Sequence, residues 1–260
     1  MSHIHQSAVI EDGAVIDPTA KIGPYCVIES GVKIGAGSEL KSHVSVAGRT
    51  TIGDNCVIYP FSSIGHAPQD LKFHGEDSEV IIGDRCTIRE HVTINPGTEG
   101  GGSITRVGND CLLMVAAHVA HDCLIGDHVI LVNNATLGGH VIIEDFAIIG
   151  GLSAVHQFVR IGAHAMIGGA SGVETDIIPF GSATGNRAVL AGLNLTGMKR
   201  RNFPREEIHA MRNAYKDLFT EDGTFQDRIQ LVTQKYPQSS VVKQVIEFIN
   251  GESKRGFCQP

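Results

Sequence analysis

The sequence predicts an all-β left-handed parallel β-helix of hexapeptide repeats over residues 1–188, followed by a C-terminal α-helical domain over residues 189–260. Three observations carry that prediction. A branched aliphatic residue recurs every six positions from Ile4 to Val173. A small or β-branched residue recurs four places after it. The period is lost near Asn186, where helix signals begin. Two inward side chains per six residues fit neither the 3.6 period of a helix nor the simple alternation of a strand. Repetition of this kind marks a solenoid.

The first ladder is unbroken from Ile4 to Ile64, through Ile10, Ile16, Ile22, Ile28, Ile34, Leu40, Val46, Ile52 and Ile58. It resumes at Ile82, Ile88 and Ile94, and again from Val107 to Val173. Each unit is a short strand and a tight turn, and three units close one triangular coil of 18 residues. Stacked coils then pair as parallel strands around a narrow core. Gly, Asn and Asp are expected at the corners, where unusual backbone angles are needed. The second ladder includes Cys26, Cys56, Cys86, Cys111 and Cys123. That position makes them buried small apolar residues, with no metal or redox role. Cys258 carries no signal.

Two breaks interrupt the ladder. Across residues 65–79 the 18-residue count is kept, but Asp70 and Glu76 fall on core positions, so that coil is expected to bulge out as a loop. Residues 96–106 shift the count by one and are rich in glycine. Loops on a rigid solenoid are candidates for function. In the tail, Pro204-Arg205-Glu206-Glu207 opens a helix with proline and acids in its first turn. Ile208, Met211, Tyr215 and Leu218 form its apolar stripe, and further helices are expected at 224–235 and 240–250. The cluster Lys199, Arg200, Arg201 and Arg205 suits an anion or an acidic protein.

Composition narrows the function. A net charge of -7 argues against a general nucleic-acid binder. The N-terminal segment, residues 1–6, lacks the basic and apolar regions of a signal peptide. The apolar stretch 147–173 contains His156, Gln157 and Arg160 and many glycines, so no membrane insertion is expected. A cytoplasmic location without disulfides follows as the expectation.

Thirteen histidines is a high count, and six fall between His118 and His164. One coil added to Asp122 gives His140, and one coil added to His121 gives Gly139, so these four share one corner. His118 lies on the approach to it, and His156 follows one coil further on. A histidine, a carboxylate and a glycine amide are the parts of an acyl-transfer site: base, orienting partner and oxyanion donor. No cofactor or metal is needed for that chemistry.

These residues sit in segments that resemble the UDP-N-acetylglucosamine O-acyltransferase family over nearly the whole chain. The matching segments are Gln69-Asp70-Leu71-Lys72, LLMVAAHVAHDC at 112–123, Asn133-Asn134-Ala135-Thr136-Leu137, DFAIIGG at 145–151, Ala154-Val155-His156-Gln157-Phe158 and Gly197-Met198-Lys199-Arg200-Arg201. The resemblance implies a homotrimer with sites between subunits. It also implies transfer of an (R)-3-hydroxyacyl group from acyl carrier protein to the 3-hydroxyl of UDP-N-acetylglucosamine, the first step of lipid A synthesis. It makes His121 the base, Asp122 its partner, and Gly139 and His140 residues of the reacting centre. Asp70, Lys72, His118, His156, Gln157, Arg200 and Arg201 become substrate contacts, and Gly169 a limit on acyl-chain length. Asn95, at another substrate-contact position, departs from the histidine common in the family, and some relatives acylate a 3-amino sugar instead. A coenzyme A-dependent acetyltransferase, a zinc enzyme of the γ-carbonic-anhydrase type and a non-catalytic solenoid share the scaffold; the loop, the histidine corner and the helical tail fit them less well.

Overall fold

In the computed structural model, which describes residues 3–260, the chain winds as a three-faced prism of short parallel strands. Met1 and Ser2, the start of the segment read above for a signal peptide, lie outside the described residues. The first face runs from Val9–Ile10 to Gly172–Val173, the second from Val15–Ile16 to Arg160–Ile161, and the third from Lys21–Ile22 to Val189–Leu193. The register follows the 18-residue coil, with Ile10 opposite Ile28 and Thr136 opposite Ala154. Each coil hydrogen-bonds its strand amides to the next, as Val9 N does to Cys26 O at 2.8 Å, so few backbone groups are left unpaired. Strands of two residues carry too little twist to impose the right-handed crossover usual between parallel strands.

Both ladders point inward. Ile28, Ile58, Leu131 and Ile149 are fully buried, and so are Cys26, Cys56, Cys86 and Cys123. The corners depart from expectation. The left-handed backbone positions are held less by Gly, Asn and Asp than by rings: Tyr25, His43, Phe61, His91, His128, His140, Phe146, Phe158 and His164 all have φ between 55° and 67°. Equal corners of successive coils lie directly above one another, so their rings stack, as in Phe61–His91 at 5.2 Å and Phe146–His164 at 4.9 Å. A stacked ring pair contributes about 0.5–1.5 kcal/mol beyond its burial, the same scale as the left-handed penalty of about 1–2 kcal/mol.

The first break is not a displaced coil. Ile64 lies on the first face and Ile82 on the second, which are consecutive positions of the winding. They stand eighteen residues apart where six suffice, so the loop is a twelve-residue insertion within a single corner. The second break leaves the same edge one coil later, between Ile94 and Val107.

Beyond Val173 the chain adds the strand Gly181–Thr184 to the third face, then turns back as Val189–Leu193, which pairs antiparallel with it. Asn194 caps α1 (Leu195–Arg200) by accepting from Gly197 N. Neither this return strand nor α1 was expected from the sequence. Then come α2 (Arg205–Leu218), α3 (Phe225–Lys235), opened by a Thr224/Asp227 capping box, and α4 (Ser240–Asn250). Ile208, Met211 and Leu218 of the expected stripe are buried and Tyr215 is half-buried. Arg160 ties the helices to the prism. Its Nε donates to the buried Asp176 at 2.8 Å, and its guanidinium lies 4.3 Å over the Phe248 ring of α4. Among the described residues, no helix is long and apolar enough to cross a membrane.

Candidate active site

The corner between the first and second faces gathers the chemistry. In one coil, a two-residue turn joins the strand His118–Val119 to Leu124–Ile125, and its residues are His121 and Asp122. Asp122 takes the left-handed position, φ 59°, which aspartate tolerates better than most residues. Its backbone N–H donates to Thr105 Oγ1 at 2.8 Å. Its carboxylate is fully buried and saturated with donors. Oδ1 accepts from Thr98 N at 2.9 Å, and Oδ2 accepts from Thr98 Oγ1 at 2.6 Å and meets His121 Nδ1 at 2.7 Å.

The second insertion makes this possible by folding over the corner. Gly101 approaches so closely that a Cβ there would lie 2.0 Å from Asp122 Cγ. An ionised carboxylate can only accept, so Nδ1 of His121 carries the proton and Nε2 keeps a lone pair. Nε2 faces Asp70, whose Oδ2 is 3.9 Å away on the first insertion.

One coil on, Gly139 lies flat against the His121 ring, where a Cβ would come within 2.4 Å of Cε1. No hydrogen bond engages the Gly139 N–H among the described residues. His140 donates its backbone N–H to His121 O at 3.0 Å. Its ring meets His121 edge-on at 5.0 Å and lies flat on Phe158 at 4.4 Å. Burial, helped by His121 and Lys254, pushes the His140 pKa below the usual imidazole value, with Asp122 and Asp70 opposing. His118 is also pushed down, first by burial and then by His121, and its Nδ1 meets Thr93 Oγ1 at 2.7 Å.

The other expected residues are spread over all three corners of the prism. Asp70 and Lys72 line a cleft of about 680 Å³ together with Thr98, His140, Phe158 and Lys254. His156 and Gln157 are exposed at the same corner. Asn95 is buried and donates from Nδ2 to His66 O and Ala67 O at 3.0 and 3.4 Å, which fastens the start of the first insertion. Arg201 stands at the corner between the second and third faces, 4.9 Å over Phe146, with Arg200 exposed beside it. Gly169 lies at the corner between the third and first faces.

Sequence reading missed Thr98, Gly101, Thr105 and Lys254. Thr105 had a signal, being a polar residue in register with the small ladder at Cys111. The other three had none, because their segments have no register. His121, Asp122 and His140 have donor atoms within 4.8 Å of one another. The donor set does not fit an ion, however: the oxygens of Asp122 already serve Thr98 and His121, and a ligand there would have to displace them.

Residues 176–258 match the family model described as UDP-N-acetylglucosamine O-acyltransferase, domain 2. The bacterial transferase hexapeptide model (six repeats) matches residues 7–42, 31–66 and 104–139. Over 99% of its length the chain is 54% identical to an acyl-[acyl-carrier-protein]–UDP-N-acetylglucosamine O-acyltransferase of Rickettsia canadensis, 97% of which is covered. It is 50% identical, over the same share, to the enzyme of that name from Azorhizobium caulinodans, with 95% covered. Among solved structures, LpxA from Acinetobacter baumannii superposes with a TM-score of 0.93 at 40% identity, covering 99% of this chain and 100% of that one. The Francisella novicida UDP-N-acetylglucosamine acyltransferase gives 0.95 at 38% identity, covering 99% and 94%.

Proposed function

The chain belongs to the acyl-[acyl-carrier-protein]–UDP-N-acetylglucosamine O-acyltransferase family, and we propose that it moves an (R)-3-hydroxyacyl chain from acyl carrier protein to the sugar 3-hydroxyl with His121 as general base. In the cell this is the first step of lipid A synthesis, carried out in the cytoplasm. The observation that carries the reading is the 2.7 Å contact between His121 Nδ1 and the fully buried Asp122 carboxylate. It leaves Nε2 as the acceptor, facing Asp70 on the wall of the cleft.

The steps follow from that geometry. Nε2 takes the proton of the sugar hydroxyl as its oxygen attacks the thioester carbon. Asp122 steadies the imidazolium that forms. The unengaged Gly139 N–H supports the developing oxyanion. Collapse breaks the carbon–sulfur bond, and the leaving thiolate takes the proton back from His121. No residue of the chain is acylated. His140, held toward its neutral form, adds no competing positive charge beside the base.

A homotrimer with sites between subunits is part of the proposal. Its support is that Arg200, Arg201 and Gly169 stand on different corners from His121, so a site using all of them draws on more than one copy.

The test is turnover on UDP-N-acetylglucosamine and an acyl carrier protein loaded with a 3-hydroxyacyl chain. His121→Ala is expected to lose roughly a hundredfold or more, with sugar-nucleotide binding retained. Near-normal turnover would remove His121 from the mechanism, and a trapped acyl-enzyme would exclude direct attack. The product should be an ester, cleaved by mild alkali; a product that resists alkali identifies the 3-amino sugar as acceptor.

A further inference from the structure

We infer that Lys254, on the segment that follows α4, is a phosphate-binding residue of the catalytic cleft. The inference rests on the proposed function for the identity of the phosphate, and on the following geometry for the site. After Asn250 the chain turns back along the last coils of the prism. Gly251 passes so close to Arg160 that a Cβ there would lie 2.9 Å from Nη1. Arg255 Nε donates to Gln157 O at 2.9 Å, Asp176 N donates to Gly256 O at 2.8 Å, and Cys258 N donates to Asp176 O at 2.8 Å. Cys258 is buried. The segment is therefore fastened on both sides of Lys254, directly beside the corner that bears His140.

Lys254 Nζ sits 4.7 Å over the ring of Phe158, the same ring that stacks on His140. A cation–π contact holds the ammonium over one ring and leaves the N–H donors turned away from that ring available. No carboxylate pairs with Lys254 or with Lys72 across the cleft, among the described residues. Two of the nearby acids turn back to backbone amides: Asp70 accepts from Lys72 N at 3.0 Å and Glu76 from His74 N at 2.8 Å. The cleft thus presents an oriented ammonium with unspent donors a short distance from the base. Oxyanions of phosphate type are the ligands that match it. The reaction offers two: the diphosphate of the sugar nucleotide and the phosphodiester of the carrier protein's pantetheine arm.

Calorimetric titration of the full-length protein tests this. The ligands are UDP-N-acetylglucosamine, 4′-phosphopantetheine and inorganic pyrophosphate, and the proteins are wild type, Lys254→Gln and Lys254→Arg. Lys254→Gln should weaken one of the first two ligands by about tenfold, the scale of a lost charge-assisted hydrogen bond, and the affected ligand identifies the source of the phosphate. Lys254→Arg should retain most of the affinity, and added salt should shrink the difference. Unchanged affinity of the Gln variant for every ligand the wild type binds overturns the inference while leaving the acyltransferase reading intact. If the wild type binds neither substrate, that reading fails and pyrophosphate decides alone. Binding that weakens in Lys254→Gln keeps the phosphate site; no binding removes it.

Discussion

Two columns of rings climb this prism on different corners, with opposite consequences. Tyr25, His43, Phe61 and His91 stack at 5.0–5.2 Å on the corner between the third and first faces. On the corner between the first and second, His140 meets His121 edge-on at 5.0 Å and stacks on Phe158 at 4.4 Å. The first column is open, with Tyr25 61% and Phe61 54% exposed. The second has a buried carboxylate beneath its first histidine and two inserted loops around it. The repeat therefore supplies positions and ring stacking at every corner. What distinguishes the reactive corner is the pair of insertions, one bringing Asp70 to Nε2 and the other closing Thr98 and Gly101 over Asp122.

The largest effect should come from the core that both columns share. Ile149 is fully buried, and Ile149→Asp places an unpaired charge there at a cost of several kcal/mol. Loss of soluble, assembled protein is expected by size-exclusion chromatography. Soluble protein of wild-type size with an unchanged melting temperature would mean the ladder is not the core.

That ladder was the most legible part of the sequence, because a solenoid repeats one physical requirement many times. The reactive corner was legible for the same reason: one coil maps His121 onto Gly139 and Asp122 onto His140, and the structure stacks them so. The insertions were visible as interruptions only. A loop without register gives no ruler, so neither the Thr98 donors nor the close approach of Gly101 could be read. Asn95 could be read as a substrate contact but not as the residue that fastens the first insertion. The return of Lys254 depends on backbone hydrogen bonds between Asp176 and residues 256–258, which have no sequence signature. Ring-filled corners escaped for a different reason: a left-handed φ favours glycine when one turn is considered alone, and only stacking between coils offsets it.

Next in size is the contrast between the columns themselves. Asp122→Asn is nearly isosteric, and asparagine tolerates the left-handed position. Its amide cannot accept on both sides, so the His121 proton should move to Nε2 and the base should be lost. Turnover is expected to fall by roughly 10²–10⁴-fold. Phe61→Ala, in the open column, should leave turnover within about twofold, as surface substitutions usually do. Equal losses in both variants would mean that ring stacking, and not the buried carboxylate, sets the activity.

A smaller effect is expected at Gly169, on the same corner as the open column but at the other end. The left-handed residue of that turn is Ala170, φ 55°, so Gly169 is not required by its own backbone. A Cβ there would meet Gly151 O at 3.2 Å and Gly151 N at 3.9 Å, a crowding that a small adjustment relieves. A glycine that its backbone does not demand leaves space outside the prism, as expected for the end of an acyl groove. Each methylene buried is worth about 0.8 kcal/mol, so two carbons that no longer fit change the rate ratio roughly fifteenfold. Gly169→Met should shift preference toward shorter 3-hydroxyacyl chains in a carrier-protein series, and an unmoved ratio would exclude this position as the limit.

The smallest effect is a pH dependence carried by one ring on the corner between the second and third faces. His164 stacks between Phe146 and Phe180 at 4.9 and 5.1 Å, with Phe203 edge-on, and its buried Nδ1 has no hydrogen-bond partner among the described residues. Burial, with Arg201 just past α1 adding to it and Asp145 opposing, pushes its pKa down to about 4. Above the ordinary value near 6.5 both folded and unfolded chains hold it neutral, so it contributes nothing to the pH dependence. Between 6.5 and about 4 the unfolded chain takes up a proton that the folded chain refuses, so stability falls as pH falls. The loss should be roughly 1 kcal/mol, once screening at a ring that is only partly buried is allowed for. His164→Phe keeps a ring in the column and removes the titration, so denaturant unfolding between pH 7 and 5 should show a flatter slope. If His164→Phe keeps the wild-type slope, the acid sensitivity of the fold arises elsewhere.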